Sequence, residues 1–168
     1  VYTVAIFAAS VKDASTKGAA PVAVAPKGGE TSVLKDMKLE ICFVIDTTGS
    51  MEPLIEITKE VTRRVAETIR SRPGLANAVK FGLVEYRDST PAIAFAGKPA
   101  RVVTPLGPVA NLQKSLPGVK AARAGSEEVE EDVLAGLLMA IESAGWSKNS
   151  SKHIILLGDA SAHLAGPK

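Results

Sequence analysis

Three oxygen-bearing side chains stand at alternate positions in Asp46-Thr47-Thr48-Gly49-Ser50, directly after the apolar run Ile41-Cys42-Phe43-Val44-Ile45. A buried strand that ends at Asp46 and turns tightly would gather Asp46, Thr48 and Ser50 around one point. The aspartate supplies charge, and the two hydroxyls are neutral donors of lone pairs. Such a set suits Mg2+, or Mn2+ or Ca2+, hard cations that take oxygen ligands and need few of them from the protein itself. Nothing in it needs a proton shuttle. An aspartate after a strand is by itself as readily a turn former or a helix N-cap. Its placement between a buried strand and an amphipathic helix is what argues for a metal.

Asp159 ends a second apolar run, Ile154-Ile155-Leu156-Leu157-Gly158, and pairs naturally with Asp46 around one cation, directly or through water. The remaining candidates read more plainly. His163 belongs on a surface loop, His153 at a strand edge, and Trp146 in the packing at a helix end. Arg87-Asp88 reads as a local salt bridge, and Cys42 as a buried core thiol.

The elements that must position these residues alternate in type. Val1 to Ser10 reads as a strand, and 11–31 as an Ala-, Pro-, Lys- and Gly-rich linker, so that residues 1–33 precede a domain over 34–168. Lys38 to Asp46 is the buried strand. A helix follows from Met51-Glu52-Pro53, with Leu54, Thr58, Val61, Val65 and Ile69 as its inward stripe, and it stops before Pro73-Gly74. Val79 to Tyr86 is a strand, and Ile93 to Val103 holds another, interrupted by Gly97 and Pro99. Val109 to Val119 is a short helix. Glu130 to Ala144 is a longer one, its apolar stripe Val133, Leu134, Leu137, Leu138 and Ile141, acids at its start favouring the helix dipole, and Gly145 as its stop. His153 to Leu157 is a fully buried strand. This alternation predicts an α/β fold, a Rossmann-like, mostly parallel sheet with helices on both faces. Ligands in such sheets bind beyond the carboxyl ends of the strands, where Asp46, Arg87-Asp88 and Asp159 would all fall.

Composition narrows the function. The 168 residues suffice for one domain with a single core, and the 46 % apolar content marks it as globular. A net charge of +2, with bases dispersed and few aromatics among them, removes the footprint of a nucleic-acid binder. No apolar run approaches the roughly 20 residues of a membrane span, so no direct membrane insertion is expected. Val1 to Ser10 lacks the basic start of a signal peptide. One cysteine cannot form an internal disulfide and does not reveal the compartment.

The residues Phe43-Val44-Ile45-Asp46-Thr47-Thr48-Gly49-Ser50-Met51 resemble the opening of a von Willebrand factor type A (vWA) domain, whose metal ion-dependent adhesion site begins Asp-x-Ser-x-Ser, here Asp-x-Thr-x-Ser. Phe81-Gly82-Leu83-Val84-Glu85-Tyr86-Arg87-Asp88 resembles the second long strand of one bacterial branch of that family. Ile154 to Ala160 resembles the strand that delivers its last metal-site aspartate. Order and spacing agree over roughly Leu34 to Ala165. The Tyr-Arg-Asp segment and Glu131-Asp132-Val133 are closest to vWA modules attached to kinases, among them type VI secretion-associated Ser/Thr kinases and the alpha-kinase group.

The resemblance implies a non-enzymatic signalling module, of the kind attached to Ser/Thr kinases, that holds Mg2+, Mn2+ or Ca2+ and lets an acidic residue of a partner protein complete the coordination. Secretion-linked relatives would place it in the periplasm, with the cytoplasm as the alternative. Two features depart from the family. Its usual threonine, or aspartate in this branch, before the long helix is replaced by Gly125-Ser126-Glu127-Glu128, in which Ser126 or Glu128 could substitute as a ligand. A full domain also carries two more strand–helix units after Asp159, whereas this chain runs nine residues further, apparently truncated after its fourth strand. Either the remainder is disordered or cut away, or Tyr2 to Ala9 fills an edge of the sheet. The alternative function is a metal-independent interaction domain with a degenerate site. A phosphatase of the haloacid dehalogenase type would need an aspartate where Thr48 stands, and no P-loop occurs. A flavodoxin-like carrier would hold FMN phosphate on Thr47-Thr48-Gly49-Ser50, where Asp46 would repel it.

Overall fold

In the computed structural model, the described residues are 2–8 (backbone only), 38–73, 75, 77–88, 94–123 and 132–159. The proposed linker at 11–31, the domain start near Leu34, Ser126, Glu128 and His163 lie outside them.

Five strands form one sheet in the order β1-β5-β2-β3-β4: β1 (Tyr2–Ala8), β2 (Leu39–Asp46), β3 (Val79–Tyr86), β4 (Ala100–Gly107) and β5 (Ser151–Gly158). All neighbours pair in parallel except β3 and β4. The N-terminal strand therefore does fill a sheet edge, aligned with β5 from Tyr2 opposite Lys152 to Ala8 opposite Gly158. The fold is α/β and mostly parallel, as the alternation of elements implies.

β2 is central, and both of its faces are covered, which is why it is an unbroken apolar run. Ile41, Phe43 and Ile45 point into one core with Phe81, Leu83 and Leu157. Helices α1 (Ile55–Arg70) and α2 (Val109–Ser115) cover that face, through Ile55, Ala66 and Leu112. Cys42 and Val44 point the other way, with Val84, Ile154 and Leu156, beneath α3 (Val133–Ser143). Cys42 is the expected core thiol, and burial pushes its pKa up to about 12. Trp146 packs on the α3 core and donates its indole N–H to the Ala140 carbonyl at 2.7 Å.

Three expectations need correction. The fourth strand runs over Ala100–Gly107 rather than Ile93 to Val103. Ala96 and Gly97 take positive φ, 51° and 82°, and turn the chain back so that Phe95 and Lys98 bond each other. Pro105 sits inside β4, which is tolerable because β4 is an edge. The inward face of α1 is Ile55, Thr58, Thr62 and Ala66, with Val65 and Ile69 packed beside it, while Val61 is 40 % exposed. In α3 the buried positions are Val133, Gly136 and Ala140, and Leu134, Leu138 and Ile141 face solvent. Small residues win in both helices because they let the helix axis approach the sheet. A Cβ on Gly136 would lie 2.9 Å from the Tyr86 ring.

Candidate metal centre

β2 and β5 run side by side, Ile45 opposite Leu157, so their carboxyl ends bring Asp46 and Asp159 to one edge. After Asp46 the backbone closes into a 3-10 turn over Gly49–Met51, with the Met51 amide on the Thr48 carbonyl at 3.2 Å and Met51 buried beneath. That tight turn brings the alternate side chains together. Asp46 Oδ1 accepts from the Thr48 amide at 2.9 Å and from Thr48 Oγ1 at 2.7 Å. Thr48 Oγ1 lies 3.1 Å from Ser50 Oγ, which donates to Asp159 Oδ1 at 3.2 Å. The four residues expected to share a cation thus form one continuous chain of oxygen atoms. Asp46 and Thr48 are buried and Ser50 is exposed, so the cluster has a closed floor and an open mouth.

The electrostatics of the floor are unbalanced. Asp46 is fully buried and its Oδ2 has no hydrogen-bond partner. Burial raises its pKa to about 6; the Thr48 bonds pull it down, and the charge of Asp159 pushes it up. The Tyr86 hydroxyl also draws the pKa down, although Oδ2 is left without a well-aligned donor. Among the described residues neither aspartate has an ion-pair partner. A buried acceptor left bare costs on the order of 1–3 kcal/mol, more when charged. A small divalent cation would remove that cost. In the fit, Asp46 and Asp159 supply charge while Thr48 and Ser50 supply neutral oxygen. Among the described residues no group of three or more His, Cys, Asp or Glu side chains could hold a metal. Such a cation would therefore keep several waters, which suits Mg2+.

Neighbouring residues brace the loop. Thr47 donates both its amide and its hydroxyl to the Tyr86 carbonyl, at 3.0 and 3.2 Å. Arg87 Nε donates to Thr47 Oγ1 at 3.1 Å, and Arg87 Nη2 to the Lys120 carbonyl at 3.0 Å. The Arg87 guanidinium also lies 4.3 Å from the Phe95 ring centre. Arg87 therefore ties β3, the metal-loop candidate and the segment after α2 together, a wider role than the local salt bridge expected of it. His153 faces Ser151 Oγ at 2.8 Å toward the amino end of β5, away from the cluster, and it is paired with Thr3 of β1 and Ile41 of β2 rather than standing at a strand edge.

Sequence reasoning missed Tyr86 and Gly158. A Cβ on Gly158 would stand 2.6 Å from the Tyr86 hydroxyl and 3.4 Å from Asp46 Oδ2. Glycine is what lets Tyr86 reach across β2 and β5 beneath the aspartate. The available signal was a glycine placed directly before Asp159 at the end of a buried strand.

No family model matches the chain. It is 26 % identical over 129 residues to alpha-protein kinase vwkA of Dictyostelium discoideum, covering 74 % of this chain and 19 % of that protein. Among solved structures it is similar to proximal thread matrix protein 1 from the mussel byssus, with a TM-score of 0.56 and 16 % identity over 79 % of this chain and 33 % of that one. The pilus adhesin SpaC from Lactobacillus rhamnosus GG gives 0.53 and 20 % over 72 % and 15 %. The type V pili tip protein Mfa5 from Porphyromonas gingivalis gives 0.53 and 18 % over 71 % and 19 %. At these identities the structural likeness establishes the fold alone. The chain spans about a fifth of the kinase and a third or less of the three structural relatives.

Proposed function

We propose that this chain is a vWA-like recognition module that binds a protein partner through a divalent cation at Asp46, Thr48, Ser50 and Asp159. The observation that carries the reading is the oxygen chain from Asp46 to Asp159, closed at its floor by an unsatisfied buried carboxylate oxygen and open at Ser50. A cation there satisfies the floor and presents a coordination position to solvent, which a glutamate or aspartate of the partner fills. The domain itself does no chemistry. Supporting this, the chain resembles part of a protein named as a kinase and shares its fold with domains of two proteins named for adhesion or pili. Attachment to a Ser/Thr kinase, and to type VI secretion in particular, is the family-level extension of the same reading. Ser126 or Glu128 would add the further ligand from the sequence that precedes α3.

A second reading is a metal-independent interaction domain. It is favoured by the fact that Thr48 and Ser50 already hydrogen-bond within the cluster. Isothermal titration of Mg2+ and Mn2+ into chelator-treated protein separates the two. The metal reading expects saturable binding near one site, lost in Asp46→Ala while the fold survives. A wild type that takes up neither ion would leave the metal-independent reading standing.

A further inference from the structure

The two carboxylate oxygens of Asp46 meet different surroundings. Oδ1 turns to the loop and accepts from the Thr48 amide and hydroxyl at 2.9 and 2.7 Å. Oδ2 lies on the side of Gly158 and Tyr86, where no loop hydroxyl bonds it. A Cβ on Gly158 would lie 3.4 Å from Oδ2 and 2.6 Å from the Tyr86 hydroxyl, so both atoms border the same small space. The Tyr86 hydroxyl is the donor set beside this carboxylate, and it draws the Asp46 pKa down even without a well-aligned bond.

Tyr86 is held firmly in that place. It is 1 % exposed and stands opposite Asp46 in the β2–β3 register. Its carbonyl accepts both the Thr47 amide and the Thr47 hydroxyl, at 3.0 and 3.2 Å. Its ring lies so close to Gly136 of α3 that a Cβ there would come within 2.9 Å. With α3 on its ring and Gly158 of β5 against its hydroxyl, the phenol is clamped at both ends. It meets Asp46 from a backbone position that already braces the loop.

We infer that Tyr86 is a positioning residue that sets which cation the cluster accepts. Its hydroxyl keeps Asp46 Oδ2 to itself, so that Asp46 offers a metal one oxygen, Oδ1, and the site prefers Mg2+ to Ca2+. The inference rests on the metal-dependent reading above and concerns the selectivity of that same site. Mg2+ demands a near-ideal octahedron at about 2.0–2.1 Å and is held by few carboxylates, with water filling the rest. Ca2+ takes roughly six to eight oxygens at about 2.3–2.6 Å and accepts both oxygens of one carboxylate. A cation on Oδ1 leaves Oδ2 to the Tyr86 hydroxyl. Without that hydroxyl, Oδ2 is free to make a second bond to the cation, which the larger ion exploits and the smaller does not.

The test is calorimetric titration of Mg2+ and of Ca2+, separately, into chelator-treated wild type and Tyr86→Phe. The wild type should bind Mg2+ more tightly than Ca2+. Tyr86→Phe keeps the ring against Gly136 and should lower that preference about tenfold, the scale on which groups bonded to a metal ligand tune affinity. A merely supporting role for the ring would weaken both ions alike and leave the ratio unmoved. A second readout does not depend on how the variant folds. Tyr2 and Tyr86 are the two tyrosines of the chain, and Mg2+ should shift the near-ultraviolet tyrosine absorption of the wild type and equally of Tyr2→Phe. Wild-type protein that binds neither ion sinks the metal reading, and this inference with it. Metal binding with a preference for Ca2+, an unchanged ratio in Tyr86→Phe, or tyrosine absorption that saturating Mg2+ leaves unaltered overturns the role of Tyr86 alone.

Discussion

The central strand β2 carries a buried carboxylate at each end, and the two are built in opposite ways. Glu40, at the amino end, is surrounded by donors: the Ser147 amide at 2.8 Å, Ser147 Oγ, Ser150 Oγ at 2.7 Å and Lys80 Nζ at 3.1 Å. Burial alone would raise its pKa, but these four donors overcome it and hold the group down at about 2. Asp46, at the carboxyl end, has only the Tyr86 hydroxyl near its second oxygen, without a well-aligned bond, and burial raises its pKa to about 6. A strand end that needs only to be fixed is saturated with protein donors. The end beside the candidate site is left short of positive charge. That shortage is what a cation would correct.

The largest effect should come from dismantling the saturated end. Glu40→Ala strands the Ser147 amide and the Ser150 hydroxyl and removes the bridge between β2, Lys80 and the turn before β5. It should cost about 3 kcal/mol in urea unfolding. The sign of the pH dependence follows from the lowered pKa: Glu40 contributes stability above 4.5 that is lost as pH falls toward about 2. Glu40→Gln should flatten that acid limb.

Asp46 should behave inversely in metal-free protein. Its raised pKa means that its contribution is fully present below 3.8 and is lost as pH rises through about 6. Asp46→Asn should therefore raise the melting temperature at pH 8, by an amount corresponding to at most about 3 kcal/mol, and leave it unchanged near pH 3.5. Saturating Mg2+ should reverse the order at pH 8. At a thousand times its Kd, the ion adds roughly 4.1 kcal/mol to the wild type, more than the variant's advantage, and nothing to the variant. A variant less stable than wild type at pH 8 without metal would remove the contrast between the two ends.

A smaller effect should come from the support beneath the site. Gly158→Ala places a methyl against the Tyr86 hydroxyl and should destabilise by about 2 kcal/mol. Combining it with Tyr86→Phe should recover part of that loss, and a double-mutant cycle measures the coupling. Strict additivity would mean that Gly158 is not there to admit Tyr86.

Much of this contrast was legible in the sequence at one end only. Asp46, Thr48, Ser50 and Asp159 announce themselves because an apolar run that stops at an acid, followed by alternating hydroxyls, is a local pattern, and a parallel sheet then aligns the strand ends. Glu40 gave no such signal, because its partners Ser147 and Ser150 lie more than a hundred residues away. Tyr86 was hidden for a similar reason: its role depends on Gly136 and Gly158, contributed by two other elements. The helix faces were misread where bulk was taken as the mark of burial. Thr62 and Ala66 turn inward and Val61 outward because proximity to the sheet, rather than hydrophobicity alone, chose the contact.

The most direct test of the proposed metal site is anomalous diffraction from a crystal of the protein soaked in Mn2+. The account predicts one strong peak at the open mouth of the cluster, about 2.0–2.2 Å from Thr48 and Ser50 oxygens and bonded to Asp46 or Asp159 directly or through one water. A fully soaked crystal with no peak there, and with the Asp46-to-Asp159 hydrogen-bond chain intact, would contradict it.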